Sequence, residues 1–321
     1  MLSRLGGKPD WATREHHHMD ISARRSRLSL QLTFHRKKLL IAYLFVLPSI
    51  LYFTFFFIFP VLQAFSRSFT RWALITPPSY VGLENYARLL QDRQFQNSLL
   101  VTLYYTAGVV VITTVLSLGL AVLLQRSWRF RSIIRISYFV PLVIPLFIVG
   151  VIGNYAFNQS FGFIPEVTSL LGLGRSAWLS VPSLAMPALI MVGIWRMLGF
   201  DIILFLAGLQ GIPEELYEVA SIDGADSWAE FRFITLPLLR RTTILVLVVT
   251  VISNMQAFDL VYSMTLGGPG EATRVLMLNI YETGFRHLRM GYALAQAMVL
   301  FVLMFGISLL QLFILRGYSS D

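Results

Sequence analysis

Apolar side chains run along this chain in six long blocks, near residues 39–64, 99–124, 133–157, 184–207, 244–260 and 292–315. Each is long enough to cross roughly 30 Å of hydrocarbon as a helix rising about 1.5 Å per residue. Pro and Gly inside several blocks are compatible with this, because neighbouring helices in a bilayer satisfy the freed backbone groups. The pattern predicts an all-α polytopic membrane protein with about six transmembrane helices. A tail over residues 1–38 precedes a transmembrane domain over residues 39–318.

One stretch between the fourth and fifth blocks breaks the pattern. Residues 211–237, GIPEELYEVASIDGADSWAEFRFITLP, are polar and acidic, and they read as two capped helices. Pro213 suits the first helical position, where its missing N–H costs nothing, and Glu214 and Glu215 place negative charge at the positive end of the helix dipole. Leu216, Val219, Ala220 and Ile222 form an apolar stripe with Glu215, Glu218 and Asp223 around it. Asp223-Gly224 then ends the first helix in a turn, and Asp226 or Ser227 caps a second that stops at Pro237. Small side chains at Ala220 and Ala225 allow close approach of another surface.

Composition agrees with the blocks: 56% hydrophobic and 13% charged residues over 321 positions. Cysteine is absent, so no disulfide framework or thiolate metal site is available. No His, Cys and carboxylate cluster lies at metal or triad spacing, which argues against a membrane enzyme. The run His16, His17 and His18 reads as a solvated part of the tail. A net charge of +9 comes from basic residues beside the spans, without the aromatic interleaving that stacks bases, so nucleic acid is not an expected partner and anionic lipid is. Seventeen Lys and Arg residues lie in the tail, at Arg126 to Arg135, beside the acidic stretch and at Arg316, against eight in the alternate connections. Basic residues stay on the cytoplasmic side during insertion, so both termini and the 211–237 loop are expected there.

Glu218, Ala220, Gly224, Ile234, Leu236 and Pro237 fall on a known spacing: E-A-A, three residues, Gly, nine residues, Ile, one residue, Leu-Pro. It resembles the EAA loop of binding-protein-dependent ABC importer permeases, with Val219 in place of the middle Ala. AYLFVLPSI, FIFPVLQAFSRSFTRW, YVGLENYARLL, FDLVYSMTLGGPGEAT and MGYALAQAMVLFVLMFGISLLQL, in that order, resemble the carbohydrate branch, of the maltose and glycerol-phosphate type. The resemblance implies a type I importer permease fold and a bacterial inner-membrane location. It implies a second permease subunit as heterodimer partner, two ATP-binding cassette subunits and a soluble solute-binding protein. The chain contains no G-x-x-x-x-G-K-[ST] loop, consistent with ATP and Mg being bound by the ATPase subunits and with no cofactor on this chain. Glu214, Glu215, Glu218, Ala220, Asp223, Gly224 and Ala225 are then the expected ATPase-coupling residues. Closure of the ATPase dimer would carry the docked helix with it and swing the attached spans.

Polar groups inside apolar spans usually face a cavity or a partner helix. Trp195, Arg196, Phe200 and Asp201 interrupt the fourth block, and Ser253, Asn254, Gln256 and Asp259 the fifth. They mix aromatic faces with planar donors and acceptors, as carbohydrate sites do. The family's sugar contacts come from these two helices, which by resemblance implicates Trp195, Arg196, Phe200, Asn254, Gln256 and Phe258, with Asp259 added from the polar cluster. Turn-forming LGGPGEAT, residues 266–273, and an amphipathic helix over residues 80–90 are candidates for contact with the binding protein. The alternative is an ion-coupled secondary transporter with Arg196, Asp201 and Asp259 as its relay, for which neither an inverted repeat nor a use for the acidic loop is visible.

Overall fold

Hydrocarbon offers no water to a stray N–H or C=O, so apolar sequence inserted into it closes its hydrogen bonds within each segment. A computed structural model describes residues 38, 41–125, 138, 140–172 and 174–316, and most of them are helical. The basic tail with His16 to His18, and the basic connection from Arg126 to Arg135, lie outside the described residues. By packing, the chain divides into Met1–Gln63 and Ala64–Asp321.

In the first unit the apolar block is helical from Ile41; this helix, α1 (Ile41–Ser68), includes a π turn at Thr54–Ile58. Its rings pair one turn apart, Tyr52 with Phe56 at 5.0 Å and Phe53 with Phe57 at 5.4 Å, the spacing of one helix face. These side chains are exposed.

After the last residues of α1, the second unit holds an antiparallel pair, β1 (Thr70–Arg71) and β2 (Ser79–Tyr80), in register Thr70 with Tyr80. This hairpin is the one departure from an all-α chain among the described residues. The Asn85 amide donates to the Ser68 and Thr70 carbonyls at 2.8 and 3.0 Å, and Arg71 pairs with Glu84. Only α2 (Glu84–Leu89) of the expected 80–90 helix forms, because Tyr80 belongs to the hairpin. Next come α3 (Arg93–Gln125), α4 (Leu146–Ala156), α5 (Phe163–Leu170) and α6 (Pro182–Gln210). The acidic stretch holds α7 (Glu215–Ile222) and α8 (Ser227–Leu238). It is followed by α9 (Arg240–Met255), α10 (Asp259–Met264), α11 (Leu276–Tyr281) and α12 (Met290–Arg316).

Helix α3 packs along α6, with α9 against both and α12 against α9. Near the acidic stretch the core is Ala121, Leu124, Phe205, Leu209, Leu239 and Val246. Farther along, Tyr105, Val149, Leu189, Leu260 and Met264 form a second core, and Phe95, Val251, Met255 and Leu300 belong to a third.

Of the six expected spans, α1, α3, α6 and α12 are continuous and apolar enough to cross, and α8 with α9 makes a fifth only as a pair bent by 63°. Pro237 accounts for the bend. Its ring crowds the carbonyl four residues back, the turn Phe231–Thr235 widens to a π turn, and the axis changes direction at Leu239. Within the block at 133–157, residues 140–143 are helical, Pro145 interrupts, and α4 follows.

The block at 244–260 is also interrupted, since α9 ends at Met255 and α10 starts at Asp259. What the break gains is packing against α4. A side chain at Gly150 would overlap Ser263, so glycine lets α10 seat there, and the Asn154 amide donates to the Met264 carbonyl at 2.8 Å. Leu260, Val261 and Met264 are buried by that contact.

At the end of the bundle away from the acidic stretch, Asp92 joins two helix starts. One oxygen accepts from the Gln94 and Phe95 N–H groups at 2.9 and 3.2 Å, capping α3, and the other accepts from the Tyr292 hydroxyl of α12 at 2.6 Å. Losing a cap costs about 1 kcal/mol and losing the tyrosine bond about as much again. Asp92→Ala is therefore expected to lower the unfolding temperature of the detergent-solubilised protein. Asp92→Asn should recover most of the cap, and equal melting of all three proteins by tryptophan fluorescence would show that Asp92 holds nothing together.

Candidate functional site

The acidic stretch folds largely by its own local chemistry. Helix α7 starts two residues later than Pro213 suggested: the Leu216 N–H bonds back to the Pro213 carbonyl at 3.3 Å, Glu214 is the N-cap, and regular helix begins at Glu215. Helix ends of this kind shift by one or two residues with the tightness of the first turn. Glu214, Glu215 and Glu218 are exposed there, near the positive end of the dipole.

At the other end Asp223 is the C-cap and Gly224 has φ of +83°. The Ala225 N–H reaches the Ala220 carbonyl at 2.9 Å and the Gly224 N–H the Ser221 carbonyl at 3.1 Å. Those two bonds are a Schellman closure. Ala220 and Ala225 are thereby joined across the turn through their backbones. Asp226 then caps α8, accepting from the Ala229 N–H at 2.8 Å, and the Tyr217 and Thr235 hydroxyls lie 2.9 Å apart, tying α7 to α8.

The apolar stripe of α7 faces outward. Leu216, Val219 and Ile222 are exposed, Ile222 to 84%, with exposed Trp228 and Phe233 on α8. An apolar patch ringed by Glu214, Glu215, Glu218 and Asp223 has the composition of a surface that another protein covers.

The two polar clusters in the spans are arranged differently from each other. On α6, Trp195 is exposed, Arg196 and Phe200 are half-buried, and the Arg196 guanidinium donates to the Met197 sulfur at 3.5 Å. Asp201 is fully buried and accepts from the Thr250 hydroxyl of α9 at 3.1 and 3.3 Å. Asn254 is buried one turn further along α9, donating to the Thr250 carbonyl at 2.8 Å. Asp201, Thr250 and Asn254 thus form a polar seam between α6 and α9, and in this conformation Asn254 belongs to the seam and not to an open face. Ser253 and Gln256 are exposed, Phe258 and Asp259 half-buried, at and beside the break between α9 and α10.

Phe200 and Phe258 each pack against the same buried core. Thr250 escaped the sequence reading. A threonine in an apolar helix has no pattern of its own, and only the α6–α9 contact gives it a role. Among the described residues no group of three or more His, Cys, Asp and Glu side chains is placed to hold a metal ion.

The family described as "Binding-protein-dependent transport system inner membrane component" matches residues 113–320. The trehalose/maltose transport system permease protein MalF of Thermococcus litoralis is 35% identical over 263 residues, covering 81% of this chain and 88% of its own. The probable starch degradation products transport system permease protein AmyD of Thermoanaerobacterium thermosulfurigenes is 32% identical over 272 residues, or 85% and 92%. Among solved structures, a chain of a bacterial ABC transporter involved in the import of the acidic polysaccharide alginate superposes with a TM-score of 0.79 at 24% identity. That match covers 90% of this chain and 100% of the other, and it shows the fold.

The seam and the cap each predict a stability effect. Thr250→Val leaves the buried Asp201 carboxyl without its hydroxyl donor, at a cost of about 1–3 kcal/mol, whereas removing both polar groups is close to neutral. Thermal unfolding should therefore place Thr250→Val below both wild type and the Asp201→Leu, Thr250→Val double variant; a single variant that melts like wild type would dissolve the seam. Gly224→Ala forces a side chain into left-handed backbone at about 1–2 kcal/mol, and Gly224→Asn costs less. Amide exchange across residues 219–226 should accelerate in that order.

Proposed function

The chain belongs to the binding-protein-dependent transport system inner membrane components, and from that premise we propose that it forms one half of a carbohydrate path moved by α7. It is a multi-pass inner-membrane permease subunit of an ABC importer, working with a periplasmic binding protein and with partner subunits that hydrolyse ATP. In the proposed arrangement a second permease chain supplies the other half of the path and two ATP-binding cassette subunits, carrying ATP and Mg, sit below. Both termini and the acidic loop are cytoplasmic.

The observation that carries the carbohydrate reading is the naming of relatives that align along more than four-fifths of this chain. They are called transport proteins for trehalose and maltose, for starch degradation products and for arabinooligosaccharides. The residues in and beside the spans support it. Trp195, Phe200 and Phe258 offer ring faces, and Arg196, Gln256 and Asp259 offer donors and acceptors, with Asn254 available once the seam opens. A family that draws solute from a binding protein and energy from ATP leaves the ion-coupled alternative without a task.

Coupling runs through α7. Its exposed Leu216, Val219 and Ile222 seat in the ATPase subunit, with Glu214, Glu215, Glu218 and Asp223 at the edge of the contact. The Gly224 closure keeps the helix folded while it is displaced. The bend at Leu239 passes the displacement to α9, and α6 on the other side of the loop receives it directly.

Reconstitution of the complex with its binding protein in proteoliposomes, followed by uptake of maltose, trehalose, arabinooligosaccharides and alginate oligosaccharides, tests the cargo; import of a different solute class alone would overturn it. Glu218→Lys and Gly224→Asp should leave a folded permease with most ATP-driven uptake lost, and normal uptake in both would remove α7 from coupling. Asn254→Leu combined with Gln256→Leu should depress uptake while the ATPase still assembles. Unchanged kinetics would take these two residues off the path.

A further inference from the structure

Two aromatic pairs at helical spacing, Phe258 with Tyr262 and Tyr281 with Phe285, sit on either side of the 266–275 segment in sequence, yet the fold merges them. Phe258 and Tyr262 stack with centroids 5.3 Å apart and planes at 26°, Phe258 meets Tyr281 at 5.2 Å, and Tyr281 meets Phe285 at 5.6 Å. Tyr262 also touches Tyr281 edge-on at 6.1 Å. The result is a run of rings, Phe258 to Tyr281 to Phe285, backed by Tyr262.

It starts at the break between α9 and α10, beside exposed Gln256 and half-buried Asp259, and ends at Phe285, which is 60% exposed. Because α9 leads from the acidic stretch to that break, the run lies at the opposite end of α9 from α7. Glu282, between Tyr281 and Phe285 in sequence, is buried under ion pairs to Arg274 and Arg286, which fixes the π turn carrying Phe285. No hydrogen bond among the described residues engages the Tyr262 or Tyr281 hydroxyl.

Ring faces with spare hydroxyls beside a carboxylate and an amide suit a ligand with apolar C–H faces and a rim of hydroxyl groups. Hydrocarbon would satisfy the rings and leave the polar neighbours unsolvated. We propose that Phe258, Tyr281 and Phe285, backed by Tyr262, form a stacking track for the successive rings of an oligosaccharide. On it the solute is passed from the face opposite α7 to the break at Gln256. The track rests on the carbohydrate reading and adds to it a preference for chains of several sugar units over a single one.

The test uses the reconstituted complex with its binding protein, and maltotriose and arabinotriose against glucose and arabinose as probes. A lost ring contact changes an equilibrium by roughly three- to tenfold. Phe285→Leu, at an exposed position, should lower trisaccharide kcat/KM by that factor while stimulation of ATP hydrolysis by the binding protein persists, and Phe285→Tyr should restore uptake. Tyr281→Leu should act the same way, with Tyr281→Phe intermediate. Trisaccharide import by Phe285→Leu at the wild-type rate overturns the track alone, as does equal impairment in Phe285→Tyr. A wild-type complex that imports no carbohydrate overturns the carbohydrate reading and the track together.

Discussion

A backbone in hydrocarbon must satisfy its own polar groups, and the described apolar helices are arranged around that requirement. Helices α3, α6 and α12 meet it by running unbroken. The interruption at Pro145 leads directly into α4, and the interruption after Met255 is matched by the seating of α10 on Gly150 and by the Asn154 amide on the Met264 carbonyl. Side chains follow the same rule, since Asp201 is buried with the Thr250 hydroxyl on its carboxylate and Asn254 bonds within its own helix.

The acidic stretch works under the opposite condition. Water is available there, so its stability comes from end-capping and not from burial, and none of the α7 residues is fully buried. Gly224, Ala220, Ala225 and Asp226 close both helices locally. Exposed Leu216, Val219 and Ile222 are thereby presented by a frame that does not need them, which is the division of labour expected of a recognition element.

Much of this could be read from residue order. The apolar blocks located α1, α3, α6 and α12, Asp223-Gly224 the turn, Asp226 the cap and Pro237 the end of the stretch, because each acts over a few neighbouring residues. The break after Met255 could not be read, since its benefit lies in α4, about a hundred residues away. Asn254 looked path-facing from its polarity, and only the pairing of α6 with α9 places it in a seam with Asp201 and Thr250. The i,i+4 aromatic pairs were visible in the sequence, but their union across residues 266–275 is a property of the fold. The spacing of Glu218, Ala220 and Gly224 was legible as a motif; the structure adds that Ala220, Gly224 and Ala225 take part in the turn that closes α7.

Asp92 carries a further consequence. Both of its oxygens are engaged, one by the first amides of α3 and one by Tyr292 of α12. A single carboxylate thus serves two helices that lie two hundred residues apart in the chain. Parting α3 from α12 at that end would break the Tyr292 bond and add its cost, about 1 kcal/mol, to any opening there.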